Sequence, residues 1–155
     1  MTSKSPGFAT DTTTATVPAD LDFARLLTLV ERSVVQRLGD ALKKEGAGIE
    51  EWRVLLLLGD DAGHAMAEIA EFAMLLAPSL TKVIDRMVSV NLVHRRVDET
   101  DRRRVLVFAT DRGRQALHRW SAVVERERDD LVNALGSEEV ALLRALLTRM
   151  STRLG

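Results

Sequence analysis

Residues 78–110 read PSLTKVIDRMVSVNLVHRRVDETDRRRVLVFAT, and they decide the fold. Pro78 suits the first position of a helix, where its missing N–H would have no partner anyway. Leu80, Val83, Ile84, Met87 and Val88 follow at helical spacing, leaving Ser79, Thr81, Lys82, Asp85, Arg86 and Ser89 on the other face. Asn91 tolerates the left-handed conformation of a helix end and should stop the helix there. An extended run (Leu92 to Val97), a charged turn (Asp98 to Arg104) and a second strand (Val105 to Thr110) complete the stretch. Helix, strand, basic loop, strand is the plan of a winged helix-turn-helix. Its polar helix face suits a major groove, and its arginine-tipped hairpin suits the backbone and minor groove beside it.

Outward from this stretch, the 155 residues are enough for one domain with a real core. The formal net charge is −1, which argues against binding nucleic acid through overall charge. A local basic patch exists all the same, because Arg95, Arg96, Arg102, Arg103 and Arg104 fall within ten residues. The absence of cysteine excludes disulfides, thiol redox sensing and thiolate metal sites. No apolar run reaches the length of a membrane span and no signal-peptide core is present, so a cytoplasmic protein is expected.

Residues 1–19 are rich in Thr, Ala and Ser and are expected to form a disordered tail, with a single domain from 20 to 155. Asp20 should cap a first helix striped by Phe23, Leu27, Val30, Val34, Leu38 and Leu42, which Gly46 and Gly48 end. A second helix from Ile49 carries the run Val54 to Leu58, apolar all round as in a buried helix. After the turn Gly59 to Gly63, a short helix from about Met66 to Ala73 offers Ala67, Ala70 and Ala73 for close packing. Neither Ala65 nor Ala77 is a good cap for the helix that follows it.

Thr110 is placed to cap a long helix bearing Leu117, Trp120, Val124, Leu131 and Leu135. Gly136 should end it and Ser137 cap the last helix. There Val140, Leu143, Leu147, Met150 and Leu154 alternate three and four apart, a coiled-coil-like seam that needs a partner. A helix of roughly 25 residues spans about 37 Å, close to one DNA turn, and could hold two reading heads at half-site separation. The expected architecture is therefore α+β, mostly α. It has a winged helix-turn-helix over about 49–110 and dimerisation helices over about 20–45 and 110–154.

The residues Pro78-Ser79-Leu80-Thr81-Lys82, Asp85-Arg86-Met87, Asn91-Leu92-Val93, Asp98-Glu99-Thr100-Asp101-Arg102-Arg103 and Ala109-Thr110-Asp111-Arg112-Gly113 resemble the multiple-antibiotic-resistance regulator (MarR) family. Asn91 replaces the usual turn glycine, Glu99 the wing proline and Ala109 a leucine, while Lys82 stands where arginine is common. Charge and turn chemistry survive these changes, and the likeness runs from about Asp20 to Leu154. The resemblance implies a homodimeric regulator, acting as a repressor on a pseudo-palindromic site in double-stranded DNA. Ser79, Thr81 and Lys82 would meet bases or phosphates, and Arg86 the fold or a phosphate. Arg103 would enter the minor groove, oriented by Asp101, with Arg102 and Arg104 on phosphates and Arg95 and Arg96 completing the basic patch. The rival reading is a winged helix used for protein interaction, in which Asp98, Glu99 and Asp101 simply balance an exposed arginine cluster.

Nothing in the chain supports catalysis or a cofactor. There is no cysteine, no tyrosine and no glycine-rich phosphate loop, and no serine is paired with histidine in a recognisable context. His64, His94 and His118 lack metal-ligand spacing. Trp52 and Trp120 sit on apolar helix faces and read first as core. The segment Glu51 to Leu55, with Leu75 to Thr81, also resembles family members that govern aromatic-acid breakdown. That likeness implies a small aromatic-acid effector, with Trp52 as an apolar wall and Arg25, Arg32 or Arg53 as the cation.

Overall fold

The computed structural model describes residues 22–154; the expected tail and the Asp20 cap lie outside them. Helix α1 (Phe23–Lys44) leads into α2 (Ile49–Leu58), strand β1 (His64–Ala65) and α3 (Met66–Ala73). Then come α4 (Ala77–Ser89), β2 (Val93–Val97), β3 (Val105–Ala109), α5 (Asp111–Leu135) and α6 (Ser137–Leu154). The strands form one antiparallel sheet in the order β1-β3-β2, with His94 opposite Phe108 and Arg96 opposite Leu106. The sequence suggested a two-stranded wing; β1 adds a third strand, pairing His64 with Val107 and Ala65 with Leu106.

The core gathers the inward faces of α2, α3, α4, α5 and the sheet. Leu55, Leu58, Ile69, Leu80, Ile84, Met87, Val93 and Val107 are all essentially inaccessible, with Leu42 the sole α1 residue among the buried. Helix α4 follows its expected periodicity, burying Leu80, Val83, Ile84 and Met87, although Val88 is exposed and Pro78 is its second residue. Helix α2 is not buried all round: Val54, Leu55 and Leu58 are, whereas Leu56 faces outward. An apolar run can coat a helix without finding protein on every side.

The joints follow backbone chemistry. Asn91 adopts φ 58°, and the Asn91 and Leu92 N–H groups donate to the Val88 and Met87 carbonyls, closing α4 in a Schellman turn. Gly46, at φ 71°, does the same for α1. The Thr110 hydroxyl accepts from Gly113 N–H at 3.0 Å and donates to the Asn91 carbonyl at 2.7 Å. It thereby ties the end of the wing to the start of both α5 and β2. The expected serine cap of α6 is corrected: Ser137 is the first helical residue, and the Gly136 carbonyl accepts the first helical bond, from Val140.

Two helices leave apolar faces uncovered among the described residues. Helix α6 buries none of its side chains, and Leu142, Leu143, Leu146 and Leu147 face solvent. Half of the α1 stripe is also bare, with Phe23, Val30 and Val34 between 44% and 62% exposed. Periodicity reported an apolar face correctly; nothing among the described residues covers it.

Candidate nucleic-acid interface

One surface presents α4 and the wing together. On α4, Ser79, Thr81, Lys82, Asp85 and Arg86 are all exposed. The Thr81 hydroxyl donates to the Ala77 carbonyl of its own helix at 3.0 Å, which leaves its oxygen lone pairs outward. The Arg86 guanidinium donates to Glu51 of α2 at 2.6 Å. Glu51 accepts the Gly48 N–H with its other oxygen, so Arg86 braces α4 against α2.

The wing turn is built from carboxylates that fold backbone. Asp98 accepts from the Thr100 hydroxyl at 2.7 Å and the Thr100 N–H at 2.8 Å. These two bonds, hydroxyl first, hold its carboxyl below the usual aspartate range. The Asp98 N–H donates to the Arg104 carbonyl, closing the loop. Asp101 accepts from the Arg103 backbone N–H at 3.0 Å and, through its own carbonyl, from Arg104 N–H. The Asp101 carboxylate thus bonds the Arg103 backbone through Oδ1, a local Asx-type bond.

The arginines of the patch divide into two sets. Arg95 pairs with Asp85 of α4 at 2.7 Å. Arg96 pairs with Glu99 at 3.0 Å and lies over the Phe108 ring, 5.3 Å from its centroid. Arg104 reaches Glu68 of α3 at 3.6 Å. For Arg102, Arg103 and Lys82 no acidic partner lies within 4 Å among the described residues, and all three are exposed. Surface pairs such as these are weak, about 0–1 kcal/mol, so they bias a side chain's position more than they hold it.

Several supports were not singled out from sequence. Glu68 accepts the Ala65 N–H that opens α3, faces Nδ1 of His64 at 3.3 Å and meets Arg104. Its position three residues beyond Ala65 is a capping-box spacing, a legible signal. Phe108 stacks on His94 with centroids 5.5 Å apart, and its other surroundings include Gly63. A Cβ on Gly63, already at φ 73°, would sit 2.3 Å from that ring, so the turn before β1 needs glycine twice over.

The residues considered for an effector are more scattered. Arg25 and Arg32 lie on the exposed surface of α1, while Trp52 and Arg53 are half-buried on α2. The Trp52 indole Nε1 is enclosed and has no hydrogen-bond partner among the described residues. A pocket of about 230 Å³ opens between α1 and α5, lined by Val34, Arg37, Leu38, Val124, Glu127, Arg128 and Leu131. None of the four expected residues lines it.

An amphipathic helix exposed beside a three-stranded wing, the two linked by Asp85 and Arg95, defines a winged helix-turn-helix. Residues 49–105 match the MarR family. The chain is 29% identical over 102 residues to the HTH-type transcriptional regulator FarR of Neisseria gonorrhoeae, covering 66% of this chain and 70% of that one. It is 26% identical to the HTH-type transcriptional regulator MhqR of Bacillus subtilis strain 168, covering 81% and 86%. Its fold superposes with TM-score 0.78 and 25% identity on the transcriptional repressor CouR bound to a 23-mer DNA duplex, over 84% of this chain and 92% of that one. The matched segment, residues 49–105, is a MarR-family winged helix-turn-helix, and the chain is similar throughout its described length to helix-turn-helix-type transcriptional regulators. Among the described residues no helix is long and apolar enough to cross a membrane.

Proposed function

We propose that the protein is a cytoplasmic repressor that binds a pseudo-palindromic duplex site as a homodimer and releases it when a small aromatic acid binds. The observation carrying this reading is the exposure of the polar α4 face and of the wing-tip Arg102 and Arg103, on a wing whose Arg95 pairs with Asp85 of α4. Ser79, Thr81 and Lys82 read bases and nearby phosphates in the major groove. Arg103 enters the flanking minor groove, Arg102 and Arg104 meet phosphates, and Arg95, Arg96 and Arg86 supply charge from braced positions. CouR, a repressor seen on duplex DNA, supports the sign of regulation.

The bare apolar faces of α1 and α6 support the dimer, since a second copy would cover them and set the two wings at a fixed separation. The enclosed Trp52 N–H, without an acceptor among the described residues, supports the effector: a buried donor without an acceptor is costly, and a carboxylate oxygen would satisfy it. Arg53, Arg25 or Arg32 would supply the cation. Such a ligand drives release by preferring the form in which the two α4 helices misfit the groove spacing. The test is capture of fragments of the protein's own genome, followed by footprinting. Two related half-sites about one helical turn apart support the proposal; retention of fragments with no shared sequence refutes it.

A further inference from the structure

The front edge of α4 carries an unexplained set of side chains. Leu76, at the N-cap position, is 78% exposed, and Ala77 and Pro78 behind it are exposed as well. Leu76 makes no capping bond, whereas a serine or aspartate there would satisfy an N–H of the first turn and hold the helix more tightly. It is absent from the core and from the hydrophobic residues packed against it. Three apolar residues in a row thus lead the exposed helix, at a position where the fold itself would favour a polar one.

In a helix-turn-helix the first residues of the recognition helix are the ones that approach base edges. In the major groove those edges offer hydrogen-bond donors and acceptors and a single apolar group, the thymine C5-methyl. A leucine or proline cannot answer a donor or an acceptor, and set against one would strand it. Both gain by covering a methyl. Resting on the DNA-binding reading above, we infer that Leu76, with Pro78 beside it, reads thymine methyl groups within each half-site. This makes Leu76 a specificity residue alongside the polar Ser79, Thr81 and Lys82. The polar residues select by hydrogen bonds, and Leu76 selects T·A pairs by shape and desolvation.

The test replaces thymine with deoxyuridine, which removes the methyl and leaves every hydrogen bond intact. Each thymine of the captured site is exchanged in turn and binding is measured at fixed salt for wild type, Leu76→Ser and Leu76→Met. For wild type and Leu76→Met, deoxyuridine should weaken binding about fourfold at one or two symmetric positions, the factor carried by burying one methyl. Leu76→Ser should lose that sensitivity while melting no lower than wild type, because serine caps the helix. A wild type insensitive at every thymine overturns the inference, as does a Leu76→Ser variant with undiminished sensitivity. Failure to recover any preferred sequence instead refutes sequence-specific binding itself, and the inference with it.

Discussion

Gly113→Ala should unfold the joint between the wing and α5. A Cβ at Gly113 would stand 2.1 Å from the Leu92 carbonyl oxygen and 3.3 Å from a Leu55 methyl. The oxygen belongs to the main chain and cannot rotate away, so α5 must back off by more than an ångström. That oxygen accepts from Thr110 N–H at 3.0 Å and, at 3.1 Å, shares the Thr110 hydroxyl proton with the Asn91 carbonyl. Overpacking costs about 1–3 kcal/mol. The weakened carbonyl bonds add about 1 kcal/mol each. Alanine's higher helix propensity returns at most about 1 kcal/mol. The clash should win, with a net loss of about 2–4 kcal/mol out of a total of about 5–15. Urea denaturation followed by circular dichroism, at one protomer concentration, measures it. A variant as stable as wild type would refute the close approach of α5 to Leu92.

Further outcomes follow from the same surfaces. Charging Leu143 and Leu147 to Glu together should convert a dimer to monomers in sedimentation, since facing carboxylates across a dyad are costly to bury; a monomeric wild type or an unaffected variant contradicts this. Arg102→Ala should lower the slope of log affinity against log salt by about 0.9 on any duplex, whereas Arg103→Ala should cost most at sites with a narrow A·T-rich minor groove. Arg104→Ala should lower the slope less than Arg102→Ala, its charge being shared with Glu68; equal slopes for these two would show that the Glu68 pair does not persist on DNA. An aromatic carboxylate effector should raise the melting temperature, quench Trp52 fluorescence and lower operator affinity. Stabilisers that leave operator binding unchanged would count against it.

Much of the fold was legible because its decisive joints are local. Asn91 at a left-handed helix end and Thr110 capping α5 need only neighbours in sequence, and both stand where their chemistry suggests. Strand β1 was not legible, since His64 and Ala65 are too few to show alternation and pair only through β3. The stripe of α1 was read correctly as apolar, yet periodicity does not say whether the same chain or another covers it. At the site, residue types and spacing marked the basic patch. Which arginines are braced by Asp85, Glu99 and Glu68 depends on elements brought together only by folding. Asp101 is a middle case: its place in the turn was clear, but the bond from its carboxylate to the Arg103 backbone N–H was not.

The central claim is that the polar face of α4 reads sequence while the wing supplies affinity. The most direct measurement is the ratio of dissociation constants for random duplex and captured operator, at one physiological salt concentration, for wild type, Thr81→Ala and Lys82→Ala. The account predicts a wild-type ratio of about 1,000 or more. Each substitution should lower that ratio by about fivefold or more, almost wholly through weaker operator binding, as expected for about 1–3 kcal/mol of lost discrimination. A wild-type ratio near one, or substitutions that weaken both duplexes by the same factor, would contradict it.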